Sequence, residues 1–165
     1  MQPYQVRAKT ACEAVGLDRD RFNEDVAAGI YKCAPQTDAG RVRIFREADL
    51  VALYVYAHLR RHGTAAEQAA DIACAVCERA QQLVDSGKKI AGDVAIGFDA
   101  DGGSYCAFGN EVAGKVDGTA NLFGSRDFSA TEFSPMVRVE RFPLGNILSI
   151  VKRRVAEVTA ALGED

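Results

Sequence analysis

The sequence predicts an α+β fold, in which a helical N-terminal unit is joined to a small β-rich unit that ends in one further helix. Three observations predict it. Apolar residues recur at helical spacing through the first 85 residues, with glycines and capping residues at the breaks. From Lys88 the texture changes to short β-prone runs separated by Gly and Asp clusters. After Pro143 a helical period returns. At 165 residues and 17.7 kDa the chain fits one ordinary domain or two small modules, and the change of texture divides it into residues 1–85 and 86–165.

The elements follow in order. A first helix is expected from about Arg7 to Val15, stopped by Gly16, because glycine tolerates the left-handed conformation just past a helix end. Asp18 then caps a second helix by accepting from its free N–H groups, with Phe22 and Val26 on its inner face and an end near Gly29. The tight glycine-bearing turn between them is the connection of a helix-turn-helix. In IYKCAPQTDAGRVRIF a proline and a Thr-Asp-Ala-Gly cluster separate two β-prone runs, which predicts a hairpin. Its second strand would place Val42 and Ile44 on one face and two guanidinium groups, Arg41 and Arg43, on the other. A third helix is expected from about Glu47 to His62, closed by Gly63. Thr64 and Glu67 form the S/T-x-x-E box that would open a fourth, reaching about Val84. KIAGDVAIGF and YCAF read as a second hairpin turning at Asp101, Gly102 and Gly103. Residues 109–134, rich in Gly, Ser, Asp and Thr, read as a long loop, and FSPMVRVERF as a third strand. The closing helix carries Leu144, Leu148, Val151, Val155, Val158 and Leu162 at spacings of 4, 3, 4, 3 and 4, a heptad seam that either covers the small β-sheet or pairs with a second copy, of which pairing is the favoured expectation.

Helix, turn, helix, basic hairpin and two more helices is the order of a winged helix-turn-helix. GLDRDRFNEDVAAGI resembles the turn and recognition helix of the MerR family, GRVRIFREADLVAL its wing and the start of the next helix, and RRHGTAAEQAADI the junction that follows. The three segments stand in the family's order over roughly residues 5–80. Where relatives carry an Arg-aromatic-aromatic-Glu run, this chain has Asn23, Glu24, Asp25 and Val26, and the wing aromatic is Phe45. The resemblance implies a double-stranded DNA-binding module and stops before the C-terminal half.

The residues support the same expectation. The net charge is −3, but residues 1–62 hold ten Lys or Arg against eight Asp or Glu, whereas 63–165 hold ten against fifteen. Arg19, Arg21 and Asn23 on the second helix suit base edges in the major groove, since Arg pairs with guanine and Asn with adenine. Lys32, Arg41 and Arg43 on the hairpin suit phosphates, contacts that position without reading sequence. The plainer reading of the same residues is a solvated face, paired with Asp18, Asp20 and Glu24.

Other constellations fall short of chemistry. GNEVAGKV at Gly109–Val116 approaches the phosphate-binding G-x-x-x-x-G-K-[ST] but ends in Val116, which has no hydroxyl for magnesium. DADGGS at Asp99–Ser104 begins like a calcium loop, yet Gly103 and Asn110 stand where ligands are needed. Cys74 and Cys77 form a C-x-x-C inside a helix without a second pair at ligand spacing, and His58 and His62 read as a helix-end surface pair. No metal, cofactor or enzyme activity is expected. Five cysteines without framework spacing predict thiols and no disulfide.

With 48% hydrophobic residues the chain is expected to fold, and with no apolar run near the roughly 18 residues of a span, and no signal-peptide order at its start, to be cytoplasmic and nucleoid-associated. The expected role is a homodimeric, sequence-specific transcriptional regulator, with RNA polymerase or another protein as a further partner. The alternatives are a phage-type DNA-handling protein, excisionase-like or small terminase subunit-like, and a regulator sensing a ligand through its C-terminal part.

Overall fold

A computed structural model describes residues 3–108, 119–120 and 136–163. The architecture is α+β. Its elements are β1 (Val6–Arg7), α1 (Ala8–Val15), α2 (Arg19–Ala27), β2 (Ile44–Phe45), α3 (Glu47–Arg61), α4 (Ala66–Asp85), β3 (Asp93–Asp99), β4 (Ser104–Phe108), β5 (Thr119–Ala120), β6 (Met136–Pro143) and α5 (Leu144–Leu162). β1 and β2 form a two-stranded antiparallel sheet, and the other strands a four-stranded antiparallel sheet in the order β5-β4-β3-β6.

Local chemistry sets three of the helix ends. Gly16 closes α1 at φ 74°, and its N–H returns to the Glu13 carbonyl. The Asp18 carboxylate accepts from the Arg21 N–H at 2.9 Å and so caps α2. At the start of α3 the Asp49 carboxylate, three residues in, reaches back to the Arg46 N–H at 2.8 Å.

α3 lies at the centre. Nine of its fifteen residues are buried, so it is apolar nearly all round, as a helix packed on several sides must be. α4 packs along one side of it, and α5 packs against both α1 and α3. One cluster of buried side chains therefore runs from Val15 and Phe22, through Leu50, Leu53 and Leu59, to Ile96, Phe142 and Val151, joining residues of both sequence halves. His58, at the edge of α3, donates from Nε2 to the Glu140 carboxylate of β6 at 3.0 Å and meets the Phe142 ring edge-on at 5.2 Å. It bridges helix and sheet, and it also stacks on the exposed His62 at the end of α3, at 4.2 Å between centroids, so the expected helix-end pair forms with one member drawn toward the sheet.

Several expectations are corrected. The hairpin over residues 30–45 does not form: residues 28–43 contain no strand, and β2 pairs instead with β1, through Val6↔Phe45 and Arg7↔Ile44. Nor do the side chains alternate as expected, since Val42 is exposed while Phe45 is fully buried. Cys33 and Cys74 form a disulfide across a sequence separation of 41, where thiols were expected. The Thr64 box is absent, because α4 begins at Ala66 without a side-chain cap. Thr64 is buried instead, and its hydroxyl has no hydrogen-bond partner.

That orphan hydroxyl gives a direct prediction. Thr64→Val keeps the shape and removes an unsatisfied polar group, so unfolding in urea should show a gain of up to about 1 kcal/mol, where most buried substitutions cost stability.

The second hairpin forms as expected. β3 and β4 pair from Val94↔Phe108 to Phe98↔Ser104, and the Asp99 carboxylate accepts from the N–H groups of Asp101 and Gly103 at 2.9 and 2.7 Å. The near-match at Gly109–Val116 lies outside the described residues, as does the expected loop 109–134 apart from Thr119 and Ala120. No described helix is long and apolar enough to cross a membrane.

Candidate nucleic-acid interface

Four elements converge on one open groove of about 460 Å³. β1 and the first turn of α1 supply Arg7 and Lys9, α2 supplies Arg19 and Asn23, and the irregular segment before β2 supplies Arg41 and Arg43. Five cations thus line it, with no carboxylate among the described lining residues. The β1–β2 pairing explains the convergence. It sets Arg7 opposite Ile44, and the Ala8 N–H donates to the Arg43 carbonyl at 3.1 Å, so residues 7–9 and 41–43 run side by side.

Of the sequence-predicted residues, Arg19, Asn23, Arg41 and Arg43 come together. Arg21 and Lys32 do not. Arg19 and Asn23 are four apart and share a face of α2, whereas Arg21, two positions from Arg19, is turned about 200° round the helix. Lys32 is exposed but is not part of the groove lining. Arg7 and Lys9 were not singled out in the sequence, where they simply flank the start of a helix. Only the pairing of two short strands, about forty residues apart in the chain, brings them to Arg43.

The cations differ in freedom. Arg43 is half-buried, and its Nε donates to the Pro35 carbonyl at 3.0 Å, which fixes the guanidinium plane. Arg19 forks onto Asp20 at 3.0 and 3.1 Å, and Arg41 lies 3.7 Å from Asp38, but both pairs are solvent-exposed. Exposed ion pairs of this kind hold on the order of 1 kcal/mol or less and exchange readily for a phosphate. Asp25, which the sequence places close to the groove, is turned inward and accepts from the Tyr56 hydroxyl. Burial, and then Asp25, push that phenol above its ordinary range.

Beneath the groove, four rings fix its parts: Phe22 of α2, Tyr31 of the irregular segment, Phe45 of β2 and Tyr56 of α3. Phe22 and Tyr56 each meet Tyr31 edge-on at 5.0 Å, and Phe45 lies 6.1 Å from Phe22. Cys12 is buried nearby. Burial lifts its thiol to about 11, against the opposing pull of Arg19 and Arg43, so it is inert at neutral pH.

The expected dimer seam on α5 is largely used within the chain. Leu144, Val151 and Val155 are buried against the chain's own core together with Ile147, which the heptad pattern had passed over. Leu148 and Val158 are half-buried, and Leu162 is exposed. The basic face beside the seam is engaged too: Lys152 pairs with Glu47 and sits 4.7 Å over the Tyr4 ring, and Arg153 lies 3.8 Å from Glu157.

No protein-family model matches the chain, and no curated protein matches it. Among the described residues no group of three or more His, Cys, Asp or Glu is placed to hold a metal ion.

Proposed function

We propose that this protein is a sequence-specific double-stranded DNA-binding regulator acting as a homodimer on the nucleoid, with a winged helix-turn-helix-like N-terminal unit. The observation that carries the reading is the cationic groove, in which five cations and Asn23 from four separate elements face one space, with no carboxylate among the described lining residues. An electropositive concavity of this kind concentrates a polyanion and gains affinity from counterion release. The division of labour follows from position. Arg19 and Asn23, on one face of α2, read base edges, while Arg7, Lys9 and Arg41 hold phosphates.

Selection of the full chain against random-sequence duplexes at moderate salt is the test. Enrichment of a defined motif is expected; a pool without sequence preference overturns the reading. Arg19→Ala and Asn23→Ala should each cost about 1–3 kcal/mol of discrimination at one base position. Lys9→Ala and Arg41→Ala should instead weaken all sequences alike, each lowering the slope of log K against log salt by about 0.9. Arg43 is a poorer probe, because its removal also frees the Pro35 carbonyl.

Burial of Leu144, Val151 and Val155 favours a second reading, a DNA-handling protein of the excisionase or small terminase type, since among the described residues it leaves no long helix free for a two-stranded coil. Mapping bound sites across the genome separates the two. Promoter sites, within reach of RNA polymerase, support regulation; clustered sites beside attachment or packaging sequences support handling.

A further inference from the structure

The segment that carries Arg41 and Arg43 has neither helix nor strand from residue 28 to 43. Two of its bonds are internal, from the Thr37 hydroxyl to the Arg41 carbonyl at 2.9 Å and from Arg43 Nε to the Pro35 carbonyl at 3.0 Å. Two features tie it to the rest of the chain ahead of the cations: the buried Tyr31 ring, and the Cys33–Cys74 bond to α4. Pro35, the acceptor that sets Arg43, lies two residues beyond that bond. Both cysteines are only half-buried, so the bond is not sealed within the core.

The other thiols are placed to stay out of exchange. Cys12 and Cys106 are buried. Cys77 lies one turn from Cys74 on α4, but its Sγ points to Asp49 Oδ1 at 3.7 Å. Burial, and then Asp49, raise that thiol to about 12, and burial alone raises Cys106 to about 12. Thiolate is the attacking species, so none of the three competes effectively for the Cys33–Cys74 bond.

We infer that the Cys33–Cys74 bond is a redox tie on the cationic groove, which a dithiol opens, releasing residues 34–43 and weakening the hold on DNA phosphates, and which a disulfide oxidant closes again. The inference rests on the DNA-binding reading above. A thiolate of the dithiol attacks one sulfur; the S–S bond breaks, a mixed disulfide forms, and the departing sulfur takes a proton. The dithiol's second sulfur then displaces the remaining cysteine, so two electrons and two protons end on Cys33 and Cys74, and the dithiol leaves as its own disulfide. Closure is the reverse, with the electrons passing to the oxidant. The Ala8 N–H still holds the Arg43 carbonyl, but Arg41 and the Pro35 carbonyl that sets the Arg43 guanidinium must then be ordered at the moment of binding, and that cost falls on affinity.

The test compares the full chain in four forms: oxidised, reduced with dithiothreitol, Cys33→Ser/Cys74→Ser, and Cys77→Ser. Two readouts are taken, hydrogen exchange over residues 34–43 and the Kd for a random-sequence duplex at fixed salt. Reduction should speed exchange over 34–43 and weaken DNA binding by on the order of tenfold. The double variant should match the reduced protein and ignore dithiothreitol, while Cys77→Ser should respond like the parent. Five thiols in the denatured, unreduced protein, unchanged exchange on reduction, or loss of the response in Cys77→Ser would each overturn the tie. Faster exchange with no DNA binding in either form would leave the tie standing and defeat the DNA-binding reading instead. Faster exchange with equal affinity in both forms would defeat the coupling between them.

Discussion

Phe22→Ala is expected to lower the unfolding free energy by about 3–5 kcal/mol, a fall of roughly 10 °C in Tm, and to cost DNA affinity beyond what the unfolded fraction explains. The first part follows from burial. Phe22 is 1% exposed, and its ring packs on those of Tyr31, Phe45 and Tyr56, so truncation leaves a cavity among three aromatic walls that cannot close over it without moving the backbone. The second part follows from the poverty of the rest of α2, in which Phe22 is the only buried residue. Together with the Asp25–Tyr56 hydrogen bond, that ring sets where Arg19 and Asn23 point. Urea unfolding with an unchanged slope gives the stability term, and titration of duplex below the transition gives the affinity term. A variant that loses stability but binds with parental affinity and specificity would show that α2 is held by its cap and turn alone.

Helices were legible because their causes are local. Gly16 and the Asp18 cap mark the ends of α1 and α2 from within a few residues, and the β3–β4 turn is signalled by Asp99 and the glycines after it. The groove was legible in part for the same reason: Arg19 and Asn23 are four apart on one helix, and Arg41 and Arg43 lie close in a basic stretch. What escaped the sequence depends on partners far along the chain. The β1–β2 pairing that adds Arg7 and Lys9 links residues about forty apart through strands of two residues each, too short to carry a pattern. The Cys33–Cys74 bond spans a separation of 41, and spacing alone does not mark either partner. Arg21 was misplaced by helical phase, which a list of basic residues ignores. The α5 seam misled for a further reason, because a 4-3-4 repeat describes a helix facing its own core as well as one facing a mate.

That ambiguity is open to experiment through two positions of the same seam. Val151→Asp is expected to cost 4 kcal/mol or more, because Val151 is fully buried between α5 and the core formed with α1 and α3, and a carboxylate there finds no partner. Leu162→Asp lies seven residues beyond Val155 at the exposed end of the helix, and should change the stability of the folded chain by less than about 0.5 kcal/mol. The contrast separates two roles that share one pattern. If the seam were chiefly a surface for a second copy, both substitutions would act on association and make the transition depend on protein concentration. Since the intrachain burial ends before Leu162, the expected result is that Val151→Asp unfolds the chain at every concentration. Leu162→Asp then leaves the fold intact and reports on dimerisation alone, through sedimentation and through the cooperativity of DNA binding. A Leu162→Asp protein that remains a dimer places the two-fold contact away from the end of α5, where the exposed Val137 and Val139 of β6 offer the larger remaining apolar surface among the described residues.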